Sequence, residues 1–356
     1  MSVDVVFISV ALSQPPTSDQ LLDDSFLLQV ARDTRPSVNG IRFTFEVRRR
    51  LPVPHKVFAT VLKAVKFWAM RRQVYGNIYT YPNGAVFAIM VARVCQVLPS
   101  PYPSVLLRFF FLFYTQWMSR HDHISPVYLT ATLESRGRIP GLPESWKPAK
   151  NECFRDLFPV ISPAYPYVND ASNVGRCGLE SLYSEITQAQ RVISASDTLS
   201  LEKLWRPYCI MEDFAHFLLV EVSSLGDDMA DAERILGRWG SYVGSKLRFL
   251  IYSVERFVHA RPHPHKLRAK MDGTFVDRKV CCSSIYFLIG VRSKNSGSSL
   301  RRCMFDEATD EFIYALQDGC STENQSRSFH RDERKMHWPQ VKLIGTSEIS
   351  SFVDGL

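Results

Sequence analysis

The chain has 356 residues, of which 46% are hydrophobic and 22% are charged. A chain of this length and hydrophobicity can bury a sizeable core in two or three domains, and its charge content excludes a disordered polyelectrolyte. The net charge of +7 favours a polyanionic partner such as RNA or a nucleotide. The eight cysteines form no CxxC pair and no Cys/His spacing typical of zinc. We therefore expect neither a zinc site nor a disulfide framework, and a reducing compartment.

The apolar residues at the amino terminus predict a strand over residues 3–12 and not a targeting signal. No basic segment precedes them, and Asp4 lies inside the apolar run. The most apolar stretch, 105–117, is too short to span a bilayer and contains Arg108, so we expect no membrane span. The Asn39–Gly40 pair predicts a turn or the entry to a helix.

Apolar residues at helical spacing predict helices in the middle of the chain, over residues 54–72, 86–98, 105–117 and 179–194. A segment rich in Pro, Gly and charge, residues 130–151, predicts a long surface loop.

Beyond residue 205, strand-like and helical segments alternate, which predicts a compact α+β module of ferredoxin-like type. The predicted elements are strand 214–222, helix 229–247, strand 248–254, strand 284–292 and helix 309–316. The polar and charged residues 321–338 predict a flexible tail.

Four segments, taken in chain order, resemble one protein family. They are VDVVF at 3–7 with DDS at 23–25 and SVNG at 37–40; LKAVKFWAMRR at 62–72 with YGNI at 75–78; FAIMVARVCQ at 87–96; and FPVISPAYP at 158–166. No segment is specific alone, but their order and separations are similar to those of eukaryotic, nuclear-type poly(A) polymerases. The resemblance covers residues 1–320 and is strongest over 36–170.

This resemblance implies an α+β multidomain fold. Residues 1–50 would be the remnant of a nucleotidyltransferase catalytic domain, and 51–206 a helical central domain. Residues 207–320 would form an RRM-like (ferredoxin-like) RNA-binding domain, and 321–356 a flexible tail.

Two charged residues match functional positions of the family, Asp4 a catalytic metal ligand and Lys66 an ATP contact. Asp4 matches the third metal-binding aspartate and would ligate Mg²⁺ or Mn²⁺. A buried carboxylate needs a partner or a metal, although a lone acid in a strand more often faces solvent. Lys66 matches a lysine that contacts the triphosphate of ATP, where a cation offsets the charge on the leaving pyrophosphate. A solvated position on the helix surface is the alternative for Lys66.

Four further residues match the nucleotide pocket of the family. Tyr75 would hold phosphates, while Asn39 and Asn77 would contact the ribose or the base. Core packing, a turn and a helix cap are the respective alternatives for Tyr75, Asn39 and Asn77. Gly84 belongs to an Asn83–Gly84 pair that falls where the family has a tight Gly-Gly turn, and Asn tolerates the positive φ of such a turn.

Basic residues cluster beyond residue 245, in the region that matches the RNA-binding domain. The RNA contacts that we expect are Lys246, Arg248, Arg261 and Lys266, and the same cluster contains His259, His263, His265, Arg268 and Lys270. Such side chains would contact the RNA backbone with weak sequence specificity. A solvated charged loop is the alternative.

The implied activity is that of a polynucleotide adenylyltransferase: template-independent addition of AMP from ATP to RNA 3′ ends, in nuclear mRNA polyadenylation. The Gly-Ser turn and Asp-x-Asp pair of this family are expected upstream of Asp4, and no later Gly-Ser pair, such as Gly240-Ser241 or Gly297-Ser298, is followed by an Asp-x-Asp pair. Two interpretations stay open: an amino-terminally truncated form of an active enzyme, or a catalytically inactive RNA-binding or scaffold protein. The expected partners are the RNA 3′ end, ATP, and cleavage and polyadenylation factors.

Overall fold

The chain divides into two units of internal contact. Unit 1 comprises Met1–Met70, Pro82–Val174 and Tyr183–Trp205, and unit 2 comprises Arg71–Tyr81, Gly175–Leu182 and Arg206–Leu356. The structure, a computed structural model, describes residues 8, 10, 12, 14–32, 34–119, 124–130, 139–147, 156–195, 200–268, 274–275, 280–294, 300–320 and 329–352. The predicted domain limits stay predictions, because these units are defined by contacts alone.

The described residues up to Trp205 contain seven α-helices. They are α1 Ser18–Leu22, α2 Arg35–Arg49, α3 His55–Arg71, α4 Gly84–Val97, α5 Pro103–Trp117, α6 Arg176–Ser194 and α7 Leu201–Leu204, with a 3₁₀ helix at Asp24–Gln29. The four helices predicted over 54–72, 86–98, 105–117 and 179–194 are confirmed by α3, α4, α5 and α6.

Aromatic packing joins α3, α4 and α5 in the core of unit 1. Trp68 of α3 meets Phe111 of α5 edge to face, with ring centroids 4.9 Å apart. Tyr114 of α5 donates a hydrogen bond of 2.9 Å to the carbonyl oxygen of Met90 in α4. A buried tyrosine hydroxyl needs such a partner, so this bond fixes how α5 lies against α4.

The turn or helix entry predicted at Asn39–Gly40 is wrong, because both residues lie inside α2, past its first turn. The helix buries Val38, Arg42 and Glu46 at helical spacing on one face. That packing outweighs the local turn preference of an Asn-Gly pair, which costs a helix about 1 kcal/mol for the glycine.

Two loop and strand predictions in unit 1 are tested only in part. Most of the strand predicted over 3–12 lies outside the described residues; Val10 forms an isolated antiparallel bridge with Val30. In the loop predicted over 130–151, described residues 139–147 form no helix or strand. Leu142 and Trp146 are nevertheless buried, so this segment is partly in the core and not only on the surface.

Unit 2 contains an antiparallel sheet with helices between its strands. The strands are β1 His216–Gly226, β2 Val258–Pro262, β3 Leu267–Arg268, β4 Thr274–Phe275, β5 Val280–Ser293 and β6 Gln340–Gly345, and the helices are α8 Ile210–Asp213, α9 Met229–Val254, α10 Asp306–Asp318 and α11 Ile349–Phe352. The main strand order is β2-β5-β1-β6, and the short β3 and β4 also pair with β5. No helix in the described part of the chain has the length and apolar character needed to cross a bilayer.

Structure and sequence agree on β1, β5 and α10 and differ at two segments of unit 2. The strand predicted over 248–254 is wrong, because these residues are the last turns of α9. Their buried residues Leu250, Ile251 and Val254 recur at helical spacing. The flexible tail expected over 321–356 does not hold for residues 340–345, which pair with β1 as β6.

Both faces of this sheet are covered by the chain. On one face α9 lies so close to β5 that a Cβ atom at Gly244 would come within 3.1 Å of the Phe287 ring. The other face carries a cluster that we call the outer cluster. Its buried members are Tyr208, Ile210, Phe214, Phe217, Leu219, Tyr286, Leu288, Ile344 and Ile349.

Gly178, in the first turn of α6, gives a test of the packing in unit 2. A Cβ atom there would lie 2.1 Å from the carbonyl oxygen of Thr80, so backbone would have to move. Gly178→Ala should lower the free energy of unfolding by about 1–3 kcal/mol, the usual cost of overpacking. Gly40 is a matched control, because a Cβ atom there meets nothing within 4 Å. Gly40→Ala should leave stability unchanged or raise it in the same urea titration, and equal destabilisation by both changes would contradict this packing.

Candidate nucleotide and RNA contacts

Three of the predicted nucleotide contacts lie in unit 1. Lys66 is half-buried on α3, beside the buried residues Val65 and Trp68. Asn39 is half-buried on α2, and its side-chain oxygen Oδ1 is enclosed and accepts no hydrogen bond from the described residues. An enclosed acceptor without a donor is costly, and a ligand hydroxyl or amino group could satisfy it.

Gly84, the third, is the first residue of α4. Asn83 precedes it with φ −93°, so the positive φ considered for this residue is wrong. The Asn83 side chain instead caps the helix: its Oδ1 accepts hydrogen bonds of 3.0 Å from the backbone N–H groups of Ala85 and Val86. This cap replaces the glycine turn and holds Gly84 at the positive end of the α4 dipole.

The other two, Tyr75 and Asn77, lie in unit 2 on the segment that follows α3. The helix ends at Arg71, and Gly76 has φ 119°, a conformation that favours glycine. Asn77 is exposed and begins a single 3₁₀ turn over Asn77–Tyr79, so it does not cap α3. Tyr75 is half-buried.

The predicted metal ligand, Asp4, lies outside the described residues. Within the part of the chain that the structure describes, no group of three His, Cys, Asp or Glu residues could hold a metal ion. The described residues therefore do not fit a Mg²⁺ or Mn²⁺ site, and the metal assignment stays a prediction about Asp4.

Arg261, a predicted RNA contact, is instead built into unit 2. Its side chain is only 7% exposed, and its Nη2 donates a hydrogen bond of 2.9 Å to the carbonyl oxygen of Arg72. The guanidinium carbon lies 3.4 Å from the centroid of the Tyr208 ring. A guanidinium stacks on an aromatic face more readily than an ammonium does, so this site suits an arginine. Its position is not that of a surface contact to RNA.

Lys246 and Arg248 flank an aromatic ring on α9. The Lys246 Nζ atom lies 5.7 Å and the Arg248 Cζ atom 5.2 Å from the centroid of Phe249. Phe249 is 36% exposed. An accessible ring between two cations can stack a base while the cations approach phosphates. Sequence reasoning found the cations and missed Phe249, whose signal was an aromatic residue directly after Arg248 in a basic run.

Lys266 follows β2 and lines a pocket beside α9. Its ammonium group donates a hydrogen bond of 3.3 Å to the hydroxyl oxygen of Ser241. Burial lowers the pKa of Lys266. Arg268, from the same basic cluster, lines this pocket too.

Comparison with known proteins finds family matches for residues 1–51 and 57–207. A family model described as "Poly(A) polymerase central domain" matches residues 57–207, and one described as "Poly(A) polymerase nucleotidyltransferase domain" matches residues 1–51. The chain is 30% identical over 324 residues to nuclear poly(A) polymerase 1 of Arabidopsis thaliana, covering 89% of this chain and 42% of the relative. It is 27% identical over 328 residues to poly(A) polymerase of Dictyostelium discoideum, covering 90% of this chain and 38% of the relative.

The chain belongs to the poly(A) polymerase family. It spans less than half the length of both relatives. The central-domain match includes Lys66, Tyr75, Asn77 and Gly84, and the nucleotidyltransferase match includes Asp4 and Asn39. Lys246, Arg248 and Lys266 lie beyond both matches, so their assignment depends on the structure of unit 2.

The segment 158–166, which carried part of the poly(A) polymerase resemblance, is a buried element of unit 1. Asn169 stabilises it, because its Oδ1 accepts hydrogen bonds of 2.9 Å from the N–H groups of Val160 and Ala171. The neighbouring Asp170 has its pKa raised to about 6 by burial, opposed in part by a hydrogen bond from Ser162. The segment is therefore part of the buried core of unit 1.

Asp170 predicts a pH dependence of stability. The folded chain holds this proton more tightly than the unfolded chain, so the resulting stability is fully present below a pH of about 4. It is lost as the pH rises through about 6. Asp170→Asn should raise the free energy of unfolding at pH 8, on the order of 2 kcal/mol, and flatten its change between pH 4 and 6.

Urea unfolding from pH 4 to 8 measures this dependence. Glu202→Gln, at an exposed position of α7, is the control and should leave the wild-type pH profile in place. A pH profile for Asp170→Asn that matches the wild type would show that burial does not raise the pKa of the Asp170 carboxyl.

Proposed function

We propose that this chain is a polynucleotide adenylyltransferase, which adds AMP from ATP to RNA 3′ ends without a template and releases pyrophosphate. The observation that carries this proposal is the match of a nucleotidyltransferase model and a central-domain model of one family, in consecutive segments. We extend it to nuclear mRNA polyadenylation and to cleavage and polyadenylation factors as partners, because curated relatives are named nuclear poly(A) polymerases.

In this proposal ATP contacts come from five residues of the described chain. Lys66 and Tyr75 hold phosphates, Asn39 and Asn77 contact the ribose or the base, and Gly84 lets the ligand approach the backbone. Lys66 is half-buried as a residue, and its ammonium group suits a phosphate because it donates charge-assisted hydrogen bonds. The enclosed Oδ1 of Asn39 suits a ligand donor. The requirement for Mg²⁺ or Mn²⁺ depends on Asp4.

We assign residues 207–320, with β6 added, to an RRM-like domain that contacts RNA. The element order β1-α9-β2-β5-α10-β6, with sheet order β2-β5-β1-β6, supports a ferredoxin-like fold. In an RRM, aromatic residues on the open sheet face stack RNA bases. Here the outer cluster covers that face, so we place the RNA contact on Lys246, Arg248 and Phe249 of α9.

A substitution at Lys66 tests the proposed adenylyltransferase activity and its ATP site. The assay extends a labelled oligo(A) primer with ATP in Mg²⁺ or Mn²⁺. Lys66→Ala should lower kcat/KM for ATP about 10- to 100-fold, which is the loss of a charged hydrogen bond worth about 1.5–3 kcal/mol. Lys63→Ala, an exposed lysine of the same helix, should change it less than about twofold, as surface charges do.

Two results would contradict this assignment. Equal effects of the Lys66 and Lys63 changes would remove Lys66 from the nucleotide site. A wild-type chain that binds RNA and ATP but extends no primer would contradict the adenylyltransferase and favour the inactive RNA-binding protein.

Lys246 and Arg248 predict the salt dependence of RNA binding. Each phosphate contact to a single strand adds about 0.7 to the slope of log affinity against log salt. The double change Lys246→Gln with Arg248→Gln should therefore weaken oligo(A) binding and reduce this slope by about 1.4. Fluorescence anisotropy in increasing KCl measures it.

The control for this change removes the same charge elsewhere, through Lys203→Gln with Arg234→Gln. Lys203 is exposed on α7, and Arg234 pairs with Asp231 on α9. This double variant should keep the wild-type slope. A slope reduced equally in both double variants would mean that RNA senses only the net charge of the chain.

A further inference from the structure

One glycine of α9 has no packing reason to be a glycine. The helix contains Gly237, Gly240 and Gly244. A Cβ atom at Gly240 would come within 2.4 Å of Ile285, and one at Gly244 within 3.1 Å of Phe287, so both allow α9 to approach β5. A Cβ atom at Gly237 would meet nothing within 4 Å. Since glycine destabilises a helix interior relative to alanine, Gly237 weakens α9 without improving its packing.

Gly237 instead lines a pocket between α9 and the edge of the sheet. The pocket has a volume of about 230 Å³, and its polar lining comes from Glu233, Lys266, Arg268, Ser283 and Ser284. Glycine at position 237 keeps a side chain out of this space and leaves helix backbone accessible to a ligand. The volume exceeds that of a single water or ion and admits a phosphate with part of its sugar.

The charges of the pocket favour an anion. Lys266 and Arg268 contribute two cations, and Glu233 contributes one carboxylate, whose Oε1 lies 3.7 Å from Nη1 of Arg268. Among the described residues, the ammonium of Lys266 has a hydroxyl partner, Ser241, and no carboxylate within ion-pair distance. Lys266 and Arg268 are both exposed, Arg268 to 84% of its side chain, so an anion can reach both cations from solvent. An incoming anion would pair with both of these cations.

We propose that this pocket binds a phosphate group, presented by a polynucleotide or by a free nucleotide. Lys266 and Arg268 donate charge-assisted hydrogen bonds to its oxygens, and hydroxyls of the pocket supply neutral donors. Gly237 allows the phosphate to approach α9. The inference deepens the proposed RNA-binding role of unit 2 and rests on that role for the polynucleotide source.

The test measures binding of pyrophosphate, ATP and a labelled oligo(A) to the full chain, by calorimetry and anisotropy. Lys266→Gln and Arg268→Gln should each lower the affinity for the phosphate ligand about tenfold, as expected for the loss of one charge-assisted hydrogen bond. Gly237→Leu should abolish binding by filling the pocket. Gly237→Ala should raise the melting temperature, which shows that position 237 tolerates a side chain. Arg234→Gln, another arginine paired with an acid of α9, should bind as the wild type does.

The outcomes separate the two sources and the two proposals. If pyrophosphate or ATP competes with oligo(A) for the wild type and this competition is lost in the pocket variants, the pocket is a general phosphate site. If the pocket variants lose only oligo(A) binding, the pocket binds an RNA backbone phosphate. If Lys246→Gln with Arg248→Gln weakens RNA binding while all pocket variants bind like the wild type, the pocket proposal is wrong and the RNA-binding role stands. If the wild type binds pyrophosphate in the pocket but no RNA, the RNA-binding role is wrong and the pocket stands.

Discussion

Strand β1 is buried on both faces, and this constraint decides which surfaces unit 2 can offer to a ligand. Phe217 and Leu219 point into the outer cluster, while Val220 and Val222 point towards α9, and all four are fully buried. The register of the sheet sets Leu288 beside Leu219 and Tyr286 beside Glu221, so the outer cluster extends over β5. An antiparallel sheet often leaves one face to water, but the described residues of β1 and of the middle of β5 are covered on both faces.

The surfaces that remain accessible follow from the length of α9. Because α9 continues to Val254, Arg248 and Phe249 lie on a helix surface and not in a strand of the sheet. At its other end the same helix contributes Gly237 to the pocket beside Lys266 and Arg268. One 26-residue helix therefore contributes to both candidate phosphate sites, through Lys246 and Arg248 at one and Gly237 at the other, and the sheet packs beneath it.

The sequence predicted what depends on local patterns and missed what depends on distant partners. Helices α3, α4 and α5 were predictable because their apolar residues recur at helical spacing, and so was β1. The Asn39–Gly40 turn failed because burial along α2 outweighs a two-residue preference. Arg261 was identified as a basic residue, but its burial depends on Arg72, 189 positions earlier in the chain, and no local pattern shows that pairing.

Photocrosslinking of an oligo(A) that carries photoreactive bases to the full chain, with mapping of the linked peptides, tests the central claim most directly. The account predicts crosslinks near Phe249 on α9 and near Lys266, and none on Phe217, Leu219, Tyr286 or Leu288. Crosslinks to Tyr286 would show that the outer cluster opens to expose the sheet face. That result would contradict the claim that the sheet only supports α9. It would place the RNA on the sheet face, where an RRM with an open face binds it.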